Sequence, residues 1–143
     1  MAYDTAMIQP MRDDLTRIGV QELLTAADVD GFLSARSGTT MIVVNSVCGC
    51  AAGMARPAVR LALGNERRPD RIGSVFAGQD LEATTRARSY FAQYPPSSPS
   101  LALFKDGQLV YFLPRHRIEG RNAEGVAAEI MKAFDAHCAP AGG

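Results

Sequence analysis

The chain has 143 residues, 47% hydrophobic and 21% charged, enough for one domain with a core of its own and too few for two typical ones. Lys plus Arg equals Asp plus Glu at 15 each, so no bulk attraction to nucleic acid or to an anionic membrane is expected. No apolar run approaches the roughly 18 residues that span a bilayer. The opening Met1-Ala2-Tyr3-Asp4-Thr5 lacks the basic-then-apolar order of a secretory signal, which makes the cytoplasm the expected compartment. Three cysteines do not make a disulfide framework, and in a reducing compartment a close pair points to catalysis or metal binding.

Met7, Ile8, Met11, Leu15 and Ile18 recur at helical spacing and predict an amphipathic helix, interrupted or restarted at Pro10 and ended by Gly19. Thr25 followed by Asp28 resembles a capping box, and Val29, Phe32 and Leu33 give a second helix its buried face. Residues 1–37 therefore read as a helical extension to a core over 39–138, with 139–143 a frayed tail, all within one domain. In the core, Met41 to Val44 form a short apolar, partly β-branched run typical of a strand covered on both faces. Asn45 and Ser46 supply turn and cap chemistry, and a helix follows to about Leu63-Gly64, kinked at Pro57. Ile72 to Phe76 predicts a strand that Gly73 weakens. Asp80 is a candidate N-cap for a helix to about Ala92, with Leu81, Thr84, Ala87 and Phe91 on one side. Leu101–Phe104 and Leu109–Leu113 flank Asp106-Gly107, a strong hairpin signal. Asn122 can cap a last helix that turns Val126, Ile130, Met131 and Phe134 to the core. The order predicts an α/β fold: a central mixed four-stranded sheet flanked by helices, its first two strands parallel and its last two antiparallel.

Cys48 and Cys50 fall where the first core strand becomes a helix. Unpaired N–H groups at a helix start favour a thiolate over a thiol, and only a thiolate attacks a disulfide sulfur. Cys48 lies nearer that start and is the candidate nucleophile; Cys50 is its partner, and Gly49 supplies freedom for a tight bridge between them. A bridge over so short a spacing is expected to be strained, hence more oxidising than a relaxed structural disulfide. The competing readings are two inert buried residues or two ligands of a metal. Zinc usually wants four ligands and only two are clustered, so no metal site is assigned. His137 and Cys138 read as a surface pair of no catalytic consequence.

The segment Asn45-Ser46-Val47-Cys48-Gly49-Cys50-Ala51-Ala52-Gly53, then Ala55-Arg56-Pro57, resembles the bacilliredoxin family. So do Pro95-Pro96-Ser97-Ser98-Pro99-Ser100, Arg115-His116-Arg117-Ile118-Glu119-Gly120 and the early Pro10-Met11-Arg12-Asp13-Asp14-Leu15. The resemblance implies a thioredoxin-like fold and an oxidoreductase that removes bacillithiol, or a similar low-molecular-weight thiol, from the cysteines of S-thiolated or disulfide-bonded client proteins. The small thiol is then a co-substrate, and no cofactor is bound. Cys50 either resolves the mixed disulfide on Cys48 or stands by while a second small thiol does so. The resemblance also implies a cis bond before Pro99, facing the cysteines, with Ser98 offering its backbone to substrate. Asn45 or Ser46 caps the helix or bonds a sulfur. Arg56 is solvated helix surface, or it stabilises a thiolate. The Arg115-His116-Arg117 run is a solvated basic loop, or it attracts the carboxylates of a small thiol. Two rivals remain: a general protein disulfide isomerase or reductase, and a metal-binding module using the Cys-Gly-Cys pair.

Overall fold

In the computed structural model, which describes residues 3–34 and 37–140, the chain opens with α1 (Thr5–Thr16), β1 (Gln21–Glu22) and α2 (Ala26–Leu33). Then come β2 (Thr39–Asn45), a π-helical turn (Ala51–Ala55) leading into α3 (Arg56–Ala62), β3 (Arg71–Phe76) and α4 (Leu81–Ser89). The hairpin β4 (Ser100–Lys105) and β5 (Gln108–Leu113), a 3-10 turn (Arg115–Arg117) and α5 (Ala123–His137) complete it. Among the described residues no helix is long and apolar enough to cross a membrane.

The sheet order is β1-β3-β2-β4-β5, with β1, β3 and β2 parallel and β4 and β5 antiparallel to their neighbours. The sheet is mixed, as expected, but has five strands rather than four. The added edge is two residues long, Gln21 and Glu22 against Gly73 and Ser74, too short and too polar to show in the sequence pattern. All seven residues of β2 are buried because the strand is central and covered on both faces. Met41 and Val43 face α3 and α5, where Leu15, Val59, Ile130 and Phe134 close one half of the core. Ile42 and Val44 face α2 and α4, where Val29, Ala83, Ala87 and Phe91 close the other. That alternation follows from the two-residue period of a strand.

Local chemistry explains most element ends. Thr25 Oγ1 accepts from the Asp28 N–H, Asn122 Oδ1 from that of Gly125, and Asp106 and Gly107 both take the positive φ a tight hairpin needs. Pro10 sits inside α1 without breaking it. Pro57 does not act by a simple kink. Its missing N–H would have bonded Gly53, and immediately ahead of it the helix widens into the π turn, where the Arg56 N–H reaches back to the Ala51 carbonyl.

Three expectations need correction. Asp80 does not cap α4, because both its oxygens are taken by Arg12, at 2.9 and 2.8 Å. Leu81 is exposed, so the buried side of α4 is Ala83, Thr84 and Ala87. Cys138 is not at the surface: it is 3% exposed beside Thr39, and Arg67 Nη1 binds its carbonyl at 2.9 Å. Ala139 and Pro140 continue that tie through the Arg68 N–H and a bridge to Arg67, while the rest of the expected tail, 141–143, lies outside the described residues.

Gly73, which weakened the strand prediction, is required by packing. A Cβ there would stand 2.8 Å from Phe32 Cε2 and 2.9 Å from Leu23 Cδ1. Gly73→Ala is expected to destabilise the fold by about 1–3 kcal/mol through overpacking. The check is a urea titration, in which an unshifted midpoint would contradict this account.

Candidate active site

β2 is the middle strand, and its carboxyl end delivers Asn45 and Ser46, both buried, to the edge of the sheet where the next helix begins. Asn45 is held on three sides. Its Oδ1 accepts from the Ser46 N–H at 2.9 Å and from Arg56 Nη1 at 3.0 Å, and its Nδ2 donates to the Met11 carbonyl at 3.1 Å. Arg56 is not solvated helix surface. It is 5% exposed, donates to the Ser46 carbonyl at 2.8 Å and to Asp14 Oδ2 at 3.0 Å, and has no recorded contact with either sulfur. Asn45 and Arg56 are thus a frame behind the site, tying α1, β2 and the cysteine-bearing helix together.

That frame aims Ser46. Its hydroxyl lies 3.2 Å from Cys48 Sγ and 3.4 Å from the Cys48 N–H. The helix opens immediately afterwards, with the Ala51 and Ala52 N–H groups on the Cys48 carbonyl. Burial by itself pushes the Cys48 thiol up. The Ser46 hydroxyl, the Ala51 and Cys50 N–H groups and the charge of Arg115 outweigh it, so Cys48 ionises below the ordinary cysteine range. Cys50 goes the other way: burial and the negative charge on Cys48 raise its pKa, Glu119 adds to that, and Arg115 only partly opposes it. Both thiols are free and partly exposed. Gly49 is exposed, and a Cβ there would meet nothing, so this conformation does not demand a glycine.

From the far side of the sheet edge, the segment before β4 meets the turn after β5. The Ser98–Pro99 bond is cis; Pro99 is buried, and Ser98 shares a cavity of about 330 Å³ with Ser46 and Cys48. Arg115 joins these parts. Its N–H donates to Ser97 Oγ at 3.2 Å, Nη1 to the Ser98 carbonyl at 3.3 Å, Nε to Glu119 Oε2 at 3.2 Å, and Nη2 lies 3.9 Å from Cys50 Sγ. Glu119 Oε2 is 4.0 Å from the same sulfur. Of the basic run, then, only Arg115 turns to the cysteines; Arg117 pairs with Glu129 and His116 is exposed. Among the described residues, no group of three or more His, Cys, Asp or Glu side chains is placed to hold a metal ion.

The structure places Ser46, Cys48 and Ser98 around one cavity that Arg88 and Arg115 also line, with Cys50 beside Arg115. The sequence reading gave no role to Glu119 or Arg88 and took Arg115 as part of a basic run, solvated or carboxylate-attracting. The available signal was the Arg115-to-Glu119 spacing, four residues apart and so on one side of a turn. Nothing in the sequence marked Arg88, which comes from α4.

A cysteine of lowered pKa at the helix start, a second of raised pKa two residues on and a cis-proline in the adjoining segment call for comparison with known proteins. A family model described as "Disulphide isomerase" matches residues 3–138. The bacilliredoxin of Salinibacter ruber is 54% identical over 140 residues, covering 96% of this chain and 82% of that one. The bacilliredoxin of Geobacillus kaustophilus is 52% identical over 142 residues, covering 96% and 98%. The chain belongs to the bacilliredoxin family. Solved structures agree on the fold: Fasciola hepatica thioredoxin superposes with a TM-score of 0.54 at 18% identity, covering 80% of this chain and 99% of that one. A mutant thioredoxin from Halobacterium salinarum gives 0.58 at 14%, covering 85% and 93%. As a member of that family the protein is a thiol–disulfide oxidoreductase, and its fold is that of thioredoxin.

Two outcomes follow from the opposed shifts. Because Cys48 is lowered and Cys50 raised, alkylation by iodoacetamide between the two midpoints should modify Cys48 first, as read by peptide mass; preferential labelling of Cys50 would reverse the assignment. Ser46→Ala should move the Cys48 thiolate absorbance midpoint to higher pH. It should also slow alkylation at pH 7 roughly 3- to 10-fold, the effect of losing one hydrogen bond to a charged group at a half-exposed site.

Proposed function

We propose that this bacilliredoxin removes low-molecular-weight thiol caps, bacillithiol or a close relative, from the cysteines of client proteins. The observation that carries the proposal is the contrast between two sulfurs within a single turn: Cys48, with the Ser46 hydroxyl at 3.2 Å, is pushed below the ordinary cysteine range, and Cys50 is pushed above it. The Cys48 thiolate attacks the cap sulfur of a client–cap disulfide. A Cys48–cap disulfide forms, the client–cap bond breaks, and the client leaves as a thiolate. Cys50 then gives up its proton and attacks the Cys48 sulfur. The Cys48–Cys50 bond forms and the cap departs as a thiolate. The protein dithiol is oxidised by two electrons and the client–cap disulfide is reduced by the same two; two equivalents of a free thiol, leaving as their own disulfide, regenerate the dithiol. No bound cofactor enters, and the cytoplasm is the compartment proposed.

Cys50→Ala is expected to stop at the first stage and accumulate a Cys48 adduct with the mass of the cap, while Cys48→Ser is expected to abolish release of the client thiol. If Cys50→Ala instead accumulates a Cys48–client disulfide, attack falls on the client sulfur and cap removal by this route is refuted. The match to a disulphide isomerase model favours one alternative, rearrangement of protein disulfides. Under that alternative a scrambled disulfide client is turned over and a capped one is not.

A further inference from the structure

Beside Cys48 the cavity contains a positive charge that the protein leaves uncompensated. Arg88, near the end of α4, lines it together with Cys48, Ser98 and Arg115. Arg115 has the Glu119 carboxylate at 3.2 Å, and Arg56, outside the cavity, has Asp14 at 3.0 Å. Arg88 forms no ion pair within 4.0 Å among the described residues. Among the described residues its one acceptor is the Ser97 carbonyl, at a long 3.4 Å, and its buried Nε has no partner. Burial pushes its pKa below the ordinary arginine value. A half-buried cation with an orphaned donor is unfavourable unless something brings it an anion.

The cavity has room for one. Its volume, about 330 Å³, is in the range of small-molecule sites. The opposite wall is Tyr3, whose ring lies so close over Gly78 that a Cβ there would fall 2.9 Å from Cε2. The Tyr3 N–H is anchored on Gln79 Oε1 at 2.6 Å.

We propose that this cavity seats the small-thiol cap and that Arg88 binds a carboxylate on it. The inference rests on the cap-removal reading above and adds the residue that recognises the cap and the pocket that seats it. It also accounts for which sulfur is attacked. A cap anchored by its carboxylate in a pocket that opens on Cys48 presents its own sulfur to the thiolate. The client sulfur, on the outer side of the bond, becomes the leaving group. The Cys48–cap bond forms as the client–cap bond breaks, with no change in electron count.

The test uses the full chain and a neutral cysteine peptide carrying one of two caps of similar size, 3-mercaptopropionate or 2-mercaptoethanol. Single-turnover rates are followed against substrate concentration. The wild type is expected to half-saturate at lower concentration with the anionic cap, and Arg88→Gln to reduce that preference about tenfold, the effect of losing one ionic hydrogen bond at a half-buried site. Arg88→Lys, which keeps the charge but not the fork, is expected to fall between. An unchanged preference in Arg88→Gln overturns the proposal, and so does an equal loss on both caps, which would make Arg88 merely a support for the Ser97 loop. A preference that follows a glutamate placed in the peptide rather than a carboxylate on the cap also overturns it, by assigning Arg88 to the client. If the wild type releases peptide thiol from neither substrate, the cap-removal reading itself has failed, and this inference with it.

Discussion

The site depends on one buried guanidinium. Arg56 is the first residue of α3, yet its side chain points back under the strand end. There it holds the Asn45 amide oxygen, the Ser46 carbonyl and the Asp14 carboxylate at 3.0, 2.8 and 3.0 Å. A buried cation of this kind tolerates little rearrangement, because each displaced donor would be left without water or a partner. It therefore fixes the path of the chain between β2 and the helix. With its N–H on Asn45 and its carbonyl on Arg56, Ser46 presents its hydroxyl to Cys48. The same clamp gives α1 its place: Met11 accepts from Asn45, Arg12 binds Asp80, and Asp14 binds Arg56. The Pro10–Leu15 segment that resembles other family members is thus the back wall of the active site, even though none of its side chains is recorded touching a sulfur.

With the backbone fixed, the two sulfurs are driven apart electrostatically. Cys48 gathers a hydroxyl, two N–H groups and a guanidinium, which together defeat its burial. Cys50 is raised by its own burial, by the charge on Cys48 and by Glu119. The second of these contributions lasts only while Cys48 is ionised. Once the Cys48 sulfur is in a disulfide it carries no charge, and Cys50 is left with Arg115 Nη2 at 3.9 Å and one fewer negative neighbour. Loss of the charge on Cys48 therefore removes one of the causes that raise the Cys50 pKa. Glu119 Oε2 lies 4.0 Å from Cys50 Sγ and accepts from Arg115 Nε, so the carboxylate and the guanidinium both border this sulfur. A spacing of one residue between the cysteines makes this coupling strong, since neither can change charge without the other responding.

The fold was legible where one short segment carries its own chemistry. The Asp106-Gly107 turn, the Thr25 and Asn122 caps and the apolar run of β2 all read directly from local sequence, and each is a local physical effect. What escaped depends on residues distant in the chain. β1 is a strand only because β3 offers it an edge, and Gly73 is a glycine only because Phe32 and Leu23 approach it. Asp80 is an excellent cap by composition, but an arginine 68 residues earlier in the chain takes both its oxygens. Cys138 is buried because the residues after α5 are pinned back across Arg67 and Arg68. In the site, the helix-start cysteines were legible, and the residue that links them to the proline loop was not. Arg115 sits in a run of basic residues, and only the tertiary fold determines which member of such a run turns inward.

The whole chain is neutral, with 15 basic and 15 acidic residues, yet the mouth of the active site is not. Three arginines from three different elements converge at the carboxyl end of β2, and they differ in how far the protein has already satisfied them. Arg56 is buried and fully engaged by strand, loop and helix. Arg115 is shared between Glu119, the Ser98 carbonyl and the Cys50 sulfur, and its charge also acts on Cys48. Arg88 has, among the described residues, a single long contact to the Ser97 carbonyl. This gradation separates three tasks that a single cation could not perform at once. A guanidinium that holds the backbone rigid cannot also move with a developing charge, and one neutralised by a carboxylate at 3.2 Å has little attraction left for an incoming anion. The local field at the nucleophile is thus a matter of which cations the fold leaves unpaired, and net charge says nothing about it.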